Sequence, residues 1–325
     1  MSDRGLLDLI IALMPGLKAV DRIKMLKLFS REEELYVLSK RNIEEIVNHE
    51  IKEFWDISEF RDRADRIDTV CRMRSIKWVS WTNADYPPLL REIYDPPAVI
   101  FFRGQLPDPE KSLLGMVGTR KPSLEASAQC YNIALEVGKA GISVISGLAL
   151  GIDAMSHRGN LSGGAAGYAV LGSGLDEIYP SANRLLAKKI LDSGGALISE
   201  YPPGVRPSKW SFPARNRIIA GLSRSVIIAE APQKSGSLIT ADFALSQGKD
   251  LWVMSSGLSS HDTSFDKRGT EKLVQDGAEI IYSQLDIFEK WNMVIADNDE
   301  NTEFFSKTGR EELVSSMAKM LKIEV

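Results

Sequence analysis

The chain of 325 residues is longer than a usual single domain, so one sizeable core with one or two smaller modules is expected. Its composition, 44% hydrophobic and 26% charged, is that of an ordinary globular protein. With no apolar run long enough to span a bilayer and no signal-peptide layout at its start, it is expected to be cytoplasmic, without a membrane partner. A formal charge of −4 excludes a global attraction to nucleic acid, so any such activity has to reside in a local basic patch.

Residues 1–80 read as a small helical module. Leu6, Leu7, Ile10, Ile11 and Leu13 share one apolar face, Met14-Pro15-Gly16-Leu17 breaks it, and helical periodicity resumes over 20–29, 43–54 and 57–73. A helix–turn–helix hairpin that grips a DNA phosphate carries a Pro-Gly-x-Gly turn. Here the turn reads Pro15-Gly16-Leu17-Lys18, so structural or interaction duty is the expectation. From Ile76 to Gly104 the pattern changes to short extended runs punctuated by prolines, which suit edge strands and loops and read as a connector packed against the next domain.

After Leu113 a regular alternation begins. Apolar runs at 113–117, 142–145, 168–171, 196–199, 225–229, 251–254 and 279–282, mostly separated by helical patterns, predict an α/β domain over residues 81–290 with a mostly parallel sheet covered on both faces, a doubly wound sheet. Residues 291–325 read as an acidic linker followed by one terminal helix over 311–322.

Ligands of such sheets bind beyond the carboxyl ends of the strands. That edge collects Gly118, then Gly147 and Gly151, Gly172 and Gly174, Gly236 and Gly257. The stretch 113–123 has the layout of strand, tight loop and helix start, with Pro122 placed in the first helical turn. Unpaired N–H groups and the positive end of a helix dipole would receive a phosphate there, and Arg120 adds a forked donor suited to its oxygens. Further on, no acidic residue occurs between Tyr201 and Ala229, whereas Arg206, Lys209, Arg215, Arg217 and Arg224 are basic, and Trp210 and Phe212 flank the lysine. Basic groups that follow a backbone, beside aromatics on which bases stack, suit a single-stranded nucleic acid.

Catalytic signals are thin. His49, His157 and His261 share no metal-ligand spacing, and His157 is expected to be a helix residue hydrogen-bonded inside the fold, just after Asp153 as a helix N-cap. Cys71 and Cys130, in separate helical regions, fit neither a disulfide nor a thiolate metal site. With neither a Gly-x-x-x-x-Gly-Lys-Ser/Thr loop nor a Gly-x-Gly-x-x-Gly fingerprint, no cofactor is implied.

Taken in order, Asp85-Tyr86-Pro87-Pro88-Leu89-Leu90, Val117-Gly118-Thr119-Arg120, Ser146-Gly147-Leu148-Ala149-Leu150-Gly151-Ile152-Asp153, Gly172-Ser173-Gly174-Leu175-Asp176, Tyr179-Pro180, Asn183, Ser199-Glu200-Tyr201-Pro202, Phe212-Pro213-Ala214-Arg215-Asn216-Arg217, Ser235-Gly236-Ser237 and Arg268-Gly269-Thr270 resemble the DNA-processing protein A (DprA, or Smf) family. The resemblance covers roughly residues 80–285. It implies an extended Rossmann-like domain that binds single-stranded DNA, forms a homodimer and helps load the RecA recombinase in natural transformation or related recombination. Its phosphate loop falls on Gly118, Thr119 and Arg120, with Lys121, Ser146 and Gly147 at the same edge. Its DNA-contacting lysine and base-stacking aromatic fall on Lys209 and Phe212, and its basic Arg-Asn-Arg on Arg215, Asn216 and Arg217. Many members carry arginine where this chain has Leu150, so that contact does not carry over. Many also carry a C-terminal winged helix, for which the residues after Trp291 are expected to be too few. Two other classes compete: a nucleotide phosphoribohydrolase-like enzyme, for which Asp242 is the acid at hand, and a scaffold that binds the recombinase without DNA.

Overall fold

The computed structural model describes residues 4–258 and 264–293; the helix expected over 311–322, the acidic linker before it and His261 lie outside them. The chain opens with five helices, α1 Leu7–Leu13, α2 Ala19–Leu28, α3 Glu33–Tyr36, α4 Lys40–Val47 and α5 Ile57–Met73. Strand β1 Lys77–Ser80, the short helix α6 Pro88–Arg91 and strand β2 Val99–Gly104 follow. The alternation then runs β3 Leu113–Val117, α7 Leu124–Lys139, β4 Ser143–Ser146, α8 Ile152–Ser162, β5 Tyr168–Val170, α9 Arg184–Asp192, β6 Ala196–Ser199, α10 Ser211–Leu222, β7 Ser225–Ile228, α11 Gly236–Ser246, β8 Asp250–Met254, α12 Arg268–Gln275, β9 Glu279–Ile281 and α13 Gln284–Lys290. All seven apolar runs are strands.

The strands form one nine-stranded sheet in the order β1-β2-β6-β5-β4-β3-β7-β8-β9. From β6 through β9 every neighbouring pair is parallel. The segment expected to be a connector is part of this sheet. β1 and β2 pair antiparallel with each other, and β2 pairs antiparallel with β6, which places Trp78 opposite Phe101 and Phe102 opposite Ile198.

Alternate residues of each parallel strand feed opposite faces, which is why these strands read as unbroken apolar runs. On one face Leu114, Met116, Val144, Ile227 and Trp252 lie under Cys130, Ile133 and Val137 of α7 and Ile287 and Phe288 of α13. On the other, Leu113, Val117, Ile145, Val226 and Ile228 lie under Ile218, Ile219 and Leu222 of α10 and Ala241 and Ala244 of α11. The N-terminal helices share a third core with the antiparallel edge: Leu7, Ile10, Met25 and Leu26 pack with Val99, Phe101 and Leu197. A polar clamp fixes this docking, since the buried Asp8 accepts from the hydroxyls of Ser80 and Thr82 and from Arg4. Among the described residues no helix is long and apolar enough to cross a membrane.

Candidate nucleic-acid interface

After β3 the chain winds one way through β4, β5 and β6, then returns to lay β7 on the other side of β3. This reversal opens a crevice at the carboxyl ends of β3 and β7, the place where doubly wound sheets bind ligands. A cleft of about 930 Å³ occupies it. One wall is the β3–α7 loop, with Gly118, Thr119, Arg120 and Lys121. A second is the stretch from Pro207 to Phe212 that leads into α10. A third is the start of α11, with Ser235, Gly236 and Ser237.

The β3–α7 loop is held rigidly. Thr119 donates its N–H to the Glu230 carbonyl at 2.8 Å and accepts on its own carbonyl from Ile152 at 3.2 Å. The Glu230 carboxylate, 1% exposed, accepts from both the N–H and the hydroxyl of Ser123, at 3.0 and 2.6 Å. Ser123 in turn caps α7 by accepting from Ala126, so Pro122 stands ahead of the cap and not in the first turn. Gly118 must be glycine on packing grounds: a Cβ would stand 2.7 Å from Ile152 and 3.0 Å from the Glu230 carbonyl. The N–H groups of Thr119, Lys121 and Ser123, expected to be free for an anion, are spent inside this framework. What this wall offers to the cleft is instead the pair of exposed cationic side chains of Arg120 and Lys121.

Facing them, Ser208 and Ser211 exchange hydrogen bonds, each hydroxyl accepting the other's N–H at 3.1 and 3.0 Å. That closed turn leaves Lys209 and Trp210 exposed, the ammonium 5.0 Å from the indole centroid. One residue into α10, Phe212 turns its half-buried ring into the cleft. The Arg120 guanidinium lies 5.3 Å from the centre of that ring, and the centre of the Tyr179 ring lies 5.7 Å from it. The phosphate loop and the acid-free segment, 90 residues apart, thus meet in one groove.

The run from Arg215 to Arg217 divides three ways. Arg215 is buried under the cleft, donating to the carbonyls of Gly147 and Val170. Burial lowers its pKa to about 10; Asp153 opposes that shift and Arg120 adds to it, so it stays cationic near neutral pH. Asn216 lines the cleft and ties the start of α11 to α10 by donating to Gly236. Arg217 does not reach the cleft. It is buried against Glu200, which it grips with two hydrogen bonds at 2.8 and 2.7 Å, and against Asp95 at 2.9 Å. Burial works against its charge, but the bonds and charge of Glu200 outweigh it and raise the pKa.

Ser146 and Gly147 also lie behind the cleft. Ser146 is fully buried and donates to Met116, and Gly147 leaves room for the Arg215 guanidinium, which a Cβ would meet at 2.4 Å. Asp153 is not an N-cap, since Gly151 holds that position. Its carboxylate accepts from the N–H groups of Gly147 and Ala149, while Asn183 donates to the carbonyls of Leu148 and Ala149, so the loop between them is braced from both sides. Burial pushes the Asp153 carboxyl up, against the pull of Arg215 and of those two N–H groups. His157 is buried in α8 as expected, but neither ring nitrogen has a hydrogen-bond partner among the described residues, and burial aided by Arg215 depresses its pKa to about 3. Asp242 is exposed on α11 and does not line the cleft. Both cysteines are buried and unpaired. The sequence reading missed Tyr179, Ser208 and the Ser235–Ser237 wall as lining residues; the last of these did follow a strand end with a glycine.

The family model described as DNA recombination-mediator protein A matches residues 77–292. The DNA processing protein DprA of Bacillus subtilis is 38% identical over 236 residues, 72% of this chain and 78% of that protein. An X-ray structure of DNA processing protein A from Streptococcus pneumoniae superposes with a TM-score of 0.70 at 30% identity, covering 90% of this chain and 99% of that one. A Helicobacter pylori structure, described as giving insight into the single-stranded DNA binding mode of its DNA processing protein A, matches with a TM-score of 0.57 at 28% identity over 66% of this chain and 96% of that one.

Proposed function

The chain belongs to the DNA recombination-mediator protein A family, and on that premise we propose that it binds single-stranded DNA in the cleft between the β3–α7 loop and the start of α10. In the fuller reading it is a non-catalytic homodimer that protects incoming single strands and helps to load the RecA recombinase onto them. The observation that carries the DNA reading is the contact of Arg120 with Phe212, a phosphate donor laid beside a base-stacking ring. Around that pair four cationic side chains, Arg120, Lys121, Lys209 and Arg215, face one carboxyl, Asp153.

The test is a titration of single-stranded and duplex DNA across salt concentrations. Removing Arg120 or Lys209 takes away a phosphate contact, so each alanine variant lowers the log–log salt slope by about 0.7 and weakens all sequences alike. Phe212→Ala loses about 1–3 kcal/mol with the slope unchanged. Wild-type affinity in both Arg120→Ala and Lys209→Ala would show that the strand binds elsewhere. RecA loading is read separately, as faster filament formation on strands coated by single-strand binding protein.

A further inference from the structure

Tyr179 lies in the loop between β5 and α9, 46% exposed, and it lines the same cleft as Phe212. The two rings are 5.7 Å apart, tilted by 36°. That spacing is within the contact range of an aromatic pair, so no base fits between them, and each ring offers its free surface to a different base. It also exceeds the ~3.4 Å rise per nucleotide of a duplex strand, which suits bases splayed along an extended single strand. Phe212 is already engaged by Arg120, whereas Tyr179 has Phe212 as its aromatic neighbour. The cleft, at about 930 Å³, is at the upper end of the ~300–1,000 Å³ of small-molecule sites, more room than a single base requires.

We propose that Tyr179 is a second base platform: the cleft seats two successive bases of a single strand, one on Phe212 and the next on Tyr179. The inference rests on the single-strand reading above and adds to it a site of defined chemistry, a flat nucleobase taken by stacking and so accepted whatever its identity. Lys209 and Arg120 flank the pair with phosphate contacts, and the tyrosine needs only its ring for the role.

The experiment compares affinities for an oligothymidylate and for an abasic oligomer of the same length, which keeps the phosphates and lacks the bases. Tyr179→Ala is expected to weaken the oligothymidylate by roughly five- to 150-fold, the range of one base–aromatic stack, and to leave the abasic oligomer within about twofold. Tyr179→Phe retains wild-type affinity for both. Because the rings touch, Tyr179→Ala is also made in the Phe212→Ala background, where independent platforms give multiplied losses. Equal weakening of both oligomers, a Phe variant as weak as the Ala variant, or no further loss beyond Phe212→Ala would each overturn the proposal, the last by reducing Tyr179 to a prop for Phe212. Arg120→Ala and Lys209→Ala serve as the separate control: they weaken both oligomers if the strand occupies this cleft, and wild-type affinity in both variants would instead sink the single-strand reading itself.

Discussion

Gly151 joins the stability of the fold to the geometry of the cleft, and its replacement by alanine separates the two. Its backbone sits at φ +76° and ψ −128°, a region essentially reserved for glycine, and holding another residue there costs about 1–3 kcal/mol. The added Cβ would stand 2.4 Å from the Thr119 carbonyl oxygen and 2.7 Å from the Arg120 carbonyl group, about an ångström inside ordinary contact. Both atoms are backbone, so relief comes only by moving the phosphate loop, at an overpacking cost of about 1–3 kcal/mol. Together these make about 2–6 kcal/mol, a large share of the 5–15 kcal/mol of a typical domain. Gly164→Ala is the matched control: φ is +86°, but no atom of the described residues lies within 4 Å of the added carbon, so the loss is roughly 1–2 kcal/mol. Urea unfolding measures the stabilities, and a salt-dependent titration of single-stranded DNA measures the site. Gly151→Ala should lose affinity and about 0.7 of log–log slope as Arg120 is carried away, while Gly164→Ala binds as wild type. Equal stability losses in the two variants, or a Gly151→Ala protein that keeps its salt slope, would refute the claim that this glycine fixes the Arg120 loop.

Two further substitutions probe groups around the cleft. Arg217→Ala strands Glu200 in a partly buried site and is expected to cost about 3–5 kcal/mol in urea unfolding, with the salt slope of DNA binding unchanged; a slope reduced by one phosphate contact would place this arginine on the DNA after all. For His157 the folded pKa of about 3 is below the unfolded value of about 6.5, so the unfolded state gains a proton first as pH falls. Its contribution is complete above about pH 6.5 and is lost at up to ~1.4 kcal/mol per pH unit down to about pH 3. His157→Leu therefore unfolds at higher urea than wild type at pH 5 by more than any difference at pH 7. Asp153, whose raised pKa acts in the opposite sense, is common to both proteins, so parallel declines would disprove the effect.

The sheet was legible where it is parallel, because strands buried on both faces leave continuous apolar runs. β1 and β2 were legible as short extended runs but not as members of the sheet, because their antiparallel pairing, Trp78 with Phe101 across the proline-interrupted stretch between them, leaves no local trace. The meeting of the Arg120 loop with the acid-free segment followed from counting strand ends. What each base in that segment does could not follow from charge alone. Arg215, Asn216 and Arg217 are consecutive on a helix, about 100° apart around its axis, so they must point three ways. At Gly147 the close approach expected of a glycine on this edge is made by a side chain: its missing Cβ leaves room for the Arg215 guanidinium, a partner 68 residues away that no local pattern reveals.

The fate of the two flanking glutamates explains how a chain of net charge −4 can present a cationic cleft. The acid-free stretch is bounded by Glu200 and Glu230, and either carboxylate, left exposed, would repel a phosphate backbone. Neither is left so. Glu200 is consumed by Arg217, and Glu230 is buried beneath the phosphate loop on Ser123, with the Lys267 ammonium 3.9 Å away. Arg215, by contrast, makes no direct carboxylate bond among the described residues; its guanidinium is held by carbonyl groups, and although the Asp153 charge acts on it, it contributes positive charge beneath the cleft through a poorly screened interior. The acids of this region organise the scaffold while the bases keep their field. On this view global charge is uninformative, and converting Glu200 or Glu230 to its amide would disturb loop geometry far more than it would raise the potential of the cleft.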